Sequence, residues 1–166
     1  MLPLVLAQPA KLEFPAKRRR SNNQTSTGSS VSRICIHQDD LITVWCDPER
    51  KLIHHEIHGY CHSEPFRAAL GAGTDAMARH GCTAWLSDDR RNGPLTPEDA
   101  EWAINEWFPR TRAIGWTHWA VVKPERAVAQ LNVQQFVDSY RERGLEVAVF
   151  DDPVVALQWL QTIEEA

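Results

Sequence analysis

The sequence predicts an α/β domain: a mixed, mostly parallel β-sheet with an N-terminal β-hairpin and about four helices, in the order β-β-α-β-α-β-α-β-α. Three observations carry this prediction. Short apolar runs alternate with amphipathic stretches, and repeated β-α units call for a largely parallel sheet. The runs "AVV" (120–122) and "VAVF" (147–150) have the continuous apolar character of central parallel strands. The stretch "ICIHQDDLITVWCDPERKLIHHEIHG" (34–59) reads as two strands joined by a turn, which adds an antiparallel strand.

Each element has its own signal. In "DPER", Asp47 and Pro48 occupy favoured turn positions. Ser63 is expected to cap the first helix, with Pro65 in its first turn. Phe66, Ala69, Leu70, Gly73, Met77 and His80 then fall on one stripe, and Gly81 is a natural stop. "GAG" (71–73) sits within that helix as a close-packing surface. "CTAWLSD" (82–88) is a short apolar strand. Thr96 caps the next helix, Pro97 takes its first position, and Asp99 is expected as the capping-box acid. Ala100, Ala103, Ile104, Trp107 and Phe108 form its core stripe, Trp102 lies off it, and Pro109 should kink or end it. "WTHWAVVK" (116–123) is another buried strand. Asn132 is expected to open the third helix with Gln135 as its reciprocal partner. Val133, Phe136, Val137 and Tyr140 face inward, and Gly144 ends that helix. "LEVAVF" forms the last strand and "DDPVVALQWLQ" a short terminal helix. No internal repeat is visible.

Charge and composition bound the function. Residues 1–33 carry +5, from Lys11, Lys17, Arg18, Arg19, Arg20 and Arg33 against Glu13, whereas the remainder carries −9. An acidic body is a poor partner for phosphate backbones or anionic membranes, so neither nucleic acid nor a membrane surface is expected. "KRRR" followed by "SNNQTSTGSSVS" cannot bury a core, so residues 1–33 are expected as a disordered basic, Ser-rich tail. Residues 34–162 are then the single domain and 163–166 a C-terminal tail. "MLPLVLAQPA" lacks the basic flank and apolar length of a secretory signal, and no stretch approaches the ~20 apolar residues of a membrane span. The four cysteines (35, 46, 61, 82) have no CxxC or disulfide-rich spacing, which favours a reduced, cytoplasmic setting.

The densest apparent chemistry is "KLIHHEIHGYCHSE" (51–64). Strand alternation places His54, Glu56 and His58 on one face, and His55, Ile57 and Gly59 on the other. Two imidazoles and a carboxylate at that spacing fit a zinc ion. Ile53 and Ile57 need the core, however, which leaves His54, Glu56 and His58 as the polar outer face of a structural strand. The expectation is therefore no metal and no cofactor. A second candidate lies at the carboxyl ends of the parallel strands, where α/β sheets bind ligands. Asp88, Lys123, Asp151 and Asp152 fall there, although helix capping and solvated turns account for them equally. Phosphoacceptor receiver domains use similar groups, but their acid pair follows the first strand, not the last. No GxSxG elbow, P-loop or GxGxxG motif is present.

The runs "WLSDDRRNGPLTPEDAEWAINEWFPR", "WAVVKPERAVAQLNV" and "GLEVAVFDDPVVALQWL" resemble small bacterial proteins described as STAS-like or anti-sigma-factor-antagonist-like, over about residues 40–161. The resemblance implies a non-enzymatic regulatory module that binds a protein partner or itself. It also touches CRAL-TRIO-type lipid binders, which makes a small apolar ligand or lipid the alternative. The serine switch of such regulators does not carry over, because "SDDRRNGPLT" lacks the Asp-Ser-Ser/Thr pattern and leaves only Ser87 and Thr96 as nearby hydroxyls. Trp102, off the core stripe, is the expected partner-binding residue. Trp85, Trp119 and Phe150 fall on neighbouring strands and are expected to fill the core; in the lipid reading they are the residues that would line an apolar pocket. A metal-binding protein built on His54, Glu56 and His58 ranks third.

Overall fold

The computed structural model describes residues 32–164. Six strands form one sheet: β1 (Ile34–Gln38), β2 (Ile42–Asp47), β3 (Leu52–Ile57), β4 (Ala84–Asp88), β5 (His118–Val122) and β6 (Glu146–Phe150). Their spatial order is β1-β2-β3-β4-β5-β6. The pairs β1/β2 and β2/β3 are antiparallel, and the three that follow are parallel. The α/β class and the mixed sheet agree with the sequence reading. The strand order does not, because the predicted opening hairpin is a three-stranded meander. Asp39 makes the extra turn: its Oδ1 accepts from the amides of Leu41 (2.8 Å) and Ile42 (2.9 Å), a local bond that breaks the strand.

The helical elements are α1 (Ser63–His80), α2 (Pro97–Trp102), α3 (Phe108–Ala113), α4 (Ala127–Glu142) and α5 (Pro153–Glu164). Sequential parallel strands with right-handed crossovers put every intervening helix on the same side. Accordingly Ile42, Val44, Ile53, Trp85, Trp119 and Val147 of the strands share a core with α1, α4 and the segment between α2 and α3. On the opposite side, Leu52, Leu86, Ala120 and Val122 pack against Ala156 and Leu160 of α5. α5 reaches Glu164, and its Ile163 packs against this second core, so the helix runs through the start of the expected 163–166 tail. The remaining expectation of a basic tail falls almost wholly outside the described residues.

Three terminus expectations are corrected. The α1 cap position is His62 rather than Ser63, and Ser63 has a positive φ of 57°. That strained backbone is held from outside, because the Ser63 amide donates to Asp99 Oδ2 at 2.7 Å. Asp99 is thus not a capping-box acid within its own helix. Its fully buried carboxylate crosses to α1, taking Ser63 and the Arg67 Nε (2.8 Å). Burial opposes that charge, but these bonds outweigh it and hold the carboxyl below its ordinary range. Third, α4 starts at Ala127 instead of Asn132. Ala129 extends the apolar stripe back by a turn, and the Asn132 side chain is used elsewhere. Thr96 does cap α2, accepting from the Asp99 amide at 3.2 Å.

Pro109 does not end the helix, which continues to Ala113. Residues Ala103–Trp107 form a π turn, closed by the Phe108 amide on the Ala103 carbonyl. The wider turn accommodates a ring that lacks an N–H and crowds the carbonyl four residues back. Four tryptophans fill the space beneath: Trp85, Trp107, Trp116 and Trp119 are all buried. Trp85 and Trp107 meet edge to face at 5.3 Å. Gly73 of α1 allows this, since a Cβ there would lie 2.5 Å from the Trp85 ring. Each buried indole N–H has an acceptor: His55 for Trp85, Thr74 for Trp107, the His118 carbonyl for Trp116 and Ser87 for Trp119. Polar residues in this core are therefore there partly because tryptophan brings a donor that must be satisfied.

Both sheet edges are blunted. β1 carries a register shift between Cys35 and His37, and the outward Val147 carbonyl of β6 is covered by Arg141 Nε (3.2 Å) and Nη2 (2.8 Å). Among the described residues no helix is long and apolar enough to cross a membrane.

Candidate functional site

β3 and β4 run parallel with His55 opposite Ser87, so these two side chains stand side by side on the helix-covered face. Asp89 follows β4 by one residue and returns to that same side. His55 is buried and fully committed. Its Nδ1 accepts from the Trp85 indole N–H at 3.0 Å, and its Nε2 lies 2.9 Å from Asp89 Oδ1. An indole nitrogen only donates, so Nδ1 holds a lone pair and the ring proton sits on Nε2, donated to Asp89. Ser87 Oγ accepts from the Trp119 indole at 2.8 Å.

The segment after β4 closes the site from above. Asn92 Oδ1 accepts from the amides of Cys61 (3.1 Å) and Gly93 (3.0 Å), which fixes the orientation of its amide. Tyr60 donates its hydroxyl to the Pro94 carbonyl at 2.8 Å and lies so close to Gly93 that a Cβ there would be 2.7 Å from the ring. Asn132 of α4 accepts from the Leu95 amide at 3.0 Å. Loop, β-strand ends and α4 are thereby joined by side-chain bonds instead of by a continuous core.

Between them is a cleft of about 60 Å³, room for a few water molecules. Phe66, Trp107, Trp119, Phe136 and Tyr140 form its apolar walls, and Ser87, Asp89, Asn92 and Asn132 its polar side. It opens at the carboxyl ends of the parallel strands, where α/β sheets place ligands. The Asn92 and Asn132 amide nitrogens carry donors with no hydrogen-bond partner among the described residues. His55, Ser87 and Asp89 are the residue types of an acyl-transfer triad, but the wiring differs. Both imidazole nitrogens are occupied by Trp85 and Asp89, which leaves no base facing Ser87.

The candidates named from sequence lie elsewhere. Asp88 points to the α5 side of the sheet, in a two-bond pair with Arg90 (Nε–Oδ1 2.9 Å, Nη2–Oδ2 2.7 Å). Burial would raise its pKa, yet Arg90 outweighs that and lowers it. Lys123 pairs with Asp151 at 2.6 Å, and Asp152 caps α5 by accepting from the Val154 amide at 2.7 Å. The four residues thus divide into three separate local arrangements. His54 and Glu56 lie on the face of β3 opposite His55, both half-buried. His58 bonds Thr43 Oγ1 at 2.8 Å, and its Nδ1 is 3.9 Å from Glu56. Among the described residues no group of three or more His, Cys, Asp or Glu side chains is placed to hold a metal ion. Both His54 nitrogens are buried with no partner among the described residues, beside Trp45 at 5.3 Å. Burial, aided by Arg33, pushes its pKa down to about 3.

Trp102 is half-buried: it meets Phe66 at 6.2 Å and Trp107 at 6.4 Å, with the Arg67 guanidinium 5.7 Å over its ring. Of the three proposed pocket residues, Trp119 lines the cleft, Trp85 sits behind it through His55, and Phe150 packs on the opposite face with Trp159. His55, Asp89, Asn92 and Asn132 were not singled out as site residues. One signal pointed to the first: alternation already set His55 on the face of Ile57, where a polar residue needs a partner. No protein-family model matches the chain, and no curated protein or solved structure matches it.

Proposed function

We propose that this protein is a non-catalytic binding module whose cleft takes a small, mostly apolar ligand with one polar end. The observation that supports it is the cleft itself: aromatic walls on one side, and unused hydrogen-bond donors of Asn92 and Asn132 on the other. Few oriented polar groups in an apolar depression are the usual composition of a small-molecule site. The size favours a compact ligand, because a long acyl chain would require the loop and α4 to part. The committed imidazole of His55 favours binding over chemistry. Ligand-observed NMR with small alkyl and aryl fragments tests the reading. Binders should perturb the Trp107 and Trp119 indole signals, and Val133→Phe at the half-buried cleft wall should remove them. Fragments that bind Val133→Phe unchanged would sink the assignment.

A second reading is a cytoplasmic, STAS-like regulatory module acting through a protein partner or a second copy. It is favoured by Val128 and Leu131, one turn apart on α4 and 68% and 71% exposed. Sedimentation of wild type against a Val128→Ser/Leu131→Ser variant tests it. Equal monomer behaviour of both across concentration would remove self-association from this reading.

A further inference from the structure

Building on the small-ligand reading of the cleft, we propose that its ligand is a protonated amine on a short apolar body, with the ammonium group held by Asp89. The charge balance of the site supplies the first reason. Among the described residues, Asp89 is the single carboxylate lining the cleft, and no lysine or arginine lines it. Its side chain is 13% exposed, and its side-chain hydrogen-bond partner among the described residues is His55. That partner is an uncharged donor, because the Trp85 indole occupies Nδ1 and leaves one proton, on Nε2. Among the described residues, Asp89 therefore has a hydrogen bond but no counter-charge. Its Oδ2 has no partner among the described residues. A partly buried carboxylate in that state favours a cation over any neutral or anionic group.

The walls supply the second reason. Phe66, Trp107, Trp119, Phe136 and Tyr140 present aromatic surface around the same space. Ring faces attract ammonium groups, and they attract them most where water is excluded. A carboxylate ligand meets the reverse situation: repulsion from Asp89, aromatic walls that supply no cation, and only two amides and a hydroxyl in compensation. Ser87 and Asn92, both more than nine-tenths buried and both lining the cleft, are left to hydrogen-bond a neutral oxygen on the ligand body.

The test compares three probes of one shape: 3-methylbutylamine, 3-methylbutanol and 4-methylpentanoate. Each is titrated into the full chain at pH 7, with the Trp107 and Trp119 indole signals as the readout. The amine is protonated there, as a lysine side chain is. It should bind about tenfold more tightly than the alcohol, with the carboxylate weakest. Raising the salt should erode the amine preference and leave the alcohol unchanged. Asp89→Asn, which retains an oxygen for His55, should bring amine and alcohol to equal affinity. If alcohol or carboxylate binds wild type as tightly as the amine, the cationic assignment is wrong and the cleft remains a binding site. If none of the three shifts the indole signals, while larger neutral fragments do, the amine proposal fails alone. If nothing shifts them, the small-ligand reading fails with it.

Discussion

His54 and His55 are consecutive on β3, and the sheet sends them into opposite environments. His55 faces α1 and the tryptophan core, where both ring nitrogens are bonded. His54 faces the other side, where both nitrogens are buried and unbonded among the described residues. The two faces solve burial differently. On the helix-covered face each polar side chain answers a specific donor, so imidazole, hydroxyl and amide positions are fixed. On the other face polar groups pair locally, as Asp88 does with Arg90 and Thr43 with His58, or are held neutral. Fixed, partnered polar groups beside aromatic walls can recognise a ligand. Local ion pairs on a strand surface satisfy themselves.

The largest expected effect is on the bonded histidine. His55→Ala strands the Trp85 indole and the Asp89 carboxylate and leaves a cavity, so it should lower stability by about 4 kcal/mol in urea denaturation at pH 7. A loss below about 1 kcal/mol would mean that water replaces the ring without cost. Next comes His54, through pH. Its folded-state value of about 3 lies below its unfolded one, so the unfolded chain takes the proton first. This contribution is intact above about pH 6.5 and is lost as pH falls toward 3, amounting to about 3 kcal/mol by pH 4. His54→Leu should flatten that part of the stability profile; parallel wild-type and variant profiles would refute the assignment.

Gly73→Ala probes the tryptophan layer behind His55. The added methyl meets the Trp85 ring, and overpacking should cost about 2 kcal/mol, read as a lowered Tm. The smallest change is expected for Asp151→Ala. Its pair with Lys123 is exposed, with Asp151 81% accessible, so stability should move by less than about 0.5 kcal/mol. A larger loss would show that this strand end is more organised than the geometry indicates.

Much of the fold was legible because local chemistry repeats along the chain. Thr96 before Pro97, Gly81 after His80, and the 2-residue alternation through Ile53 and Ile57 each specify their element without distant help. The helix starts that were misplaced share one cause. Ser63 and Asp99 look like intrahelical caps in sequence, but they bond each other across 36 residues. Asn132 likewise looks like a helix start, yet its side chain holds Leu95, 37 residues earlier. A local motif competes with partners that only folding brings near. The same limit applies to the site. "SDDRRNG" displays one acidic pair and one basic pair, and nothing in its order says that Asp88 turns toward Arg90 while Asp89 turns toward His55.

The sequence by itself determined an α/β sheet with parallel strands, the apolar core stripes of its helices and the division of the histidine run between two faces. These follow from periodicity, because side-chain direction along a strand or helix is a property of the backbone. Only the tertiary structure decided the sixth strand, the π turn before Pro109, and the cleft bounded by His55, Asp89, Asn92 and Asn132. Those depend on which buried donor meets which acceptor, and buried partners are chosen by packing in three dimensions, not by spacing along the chain.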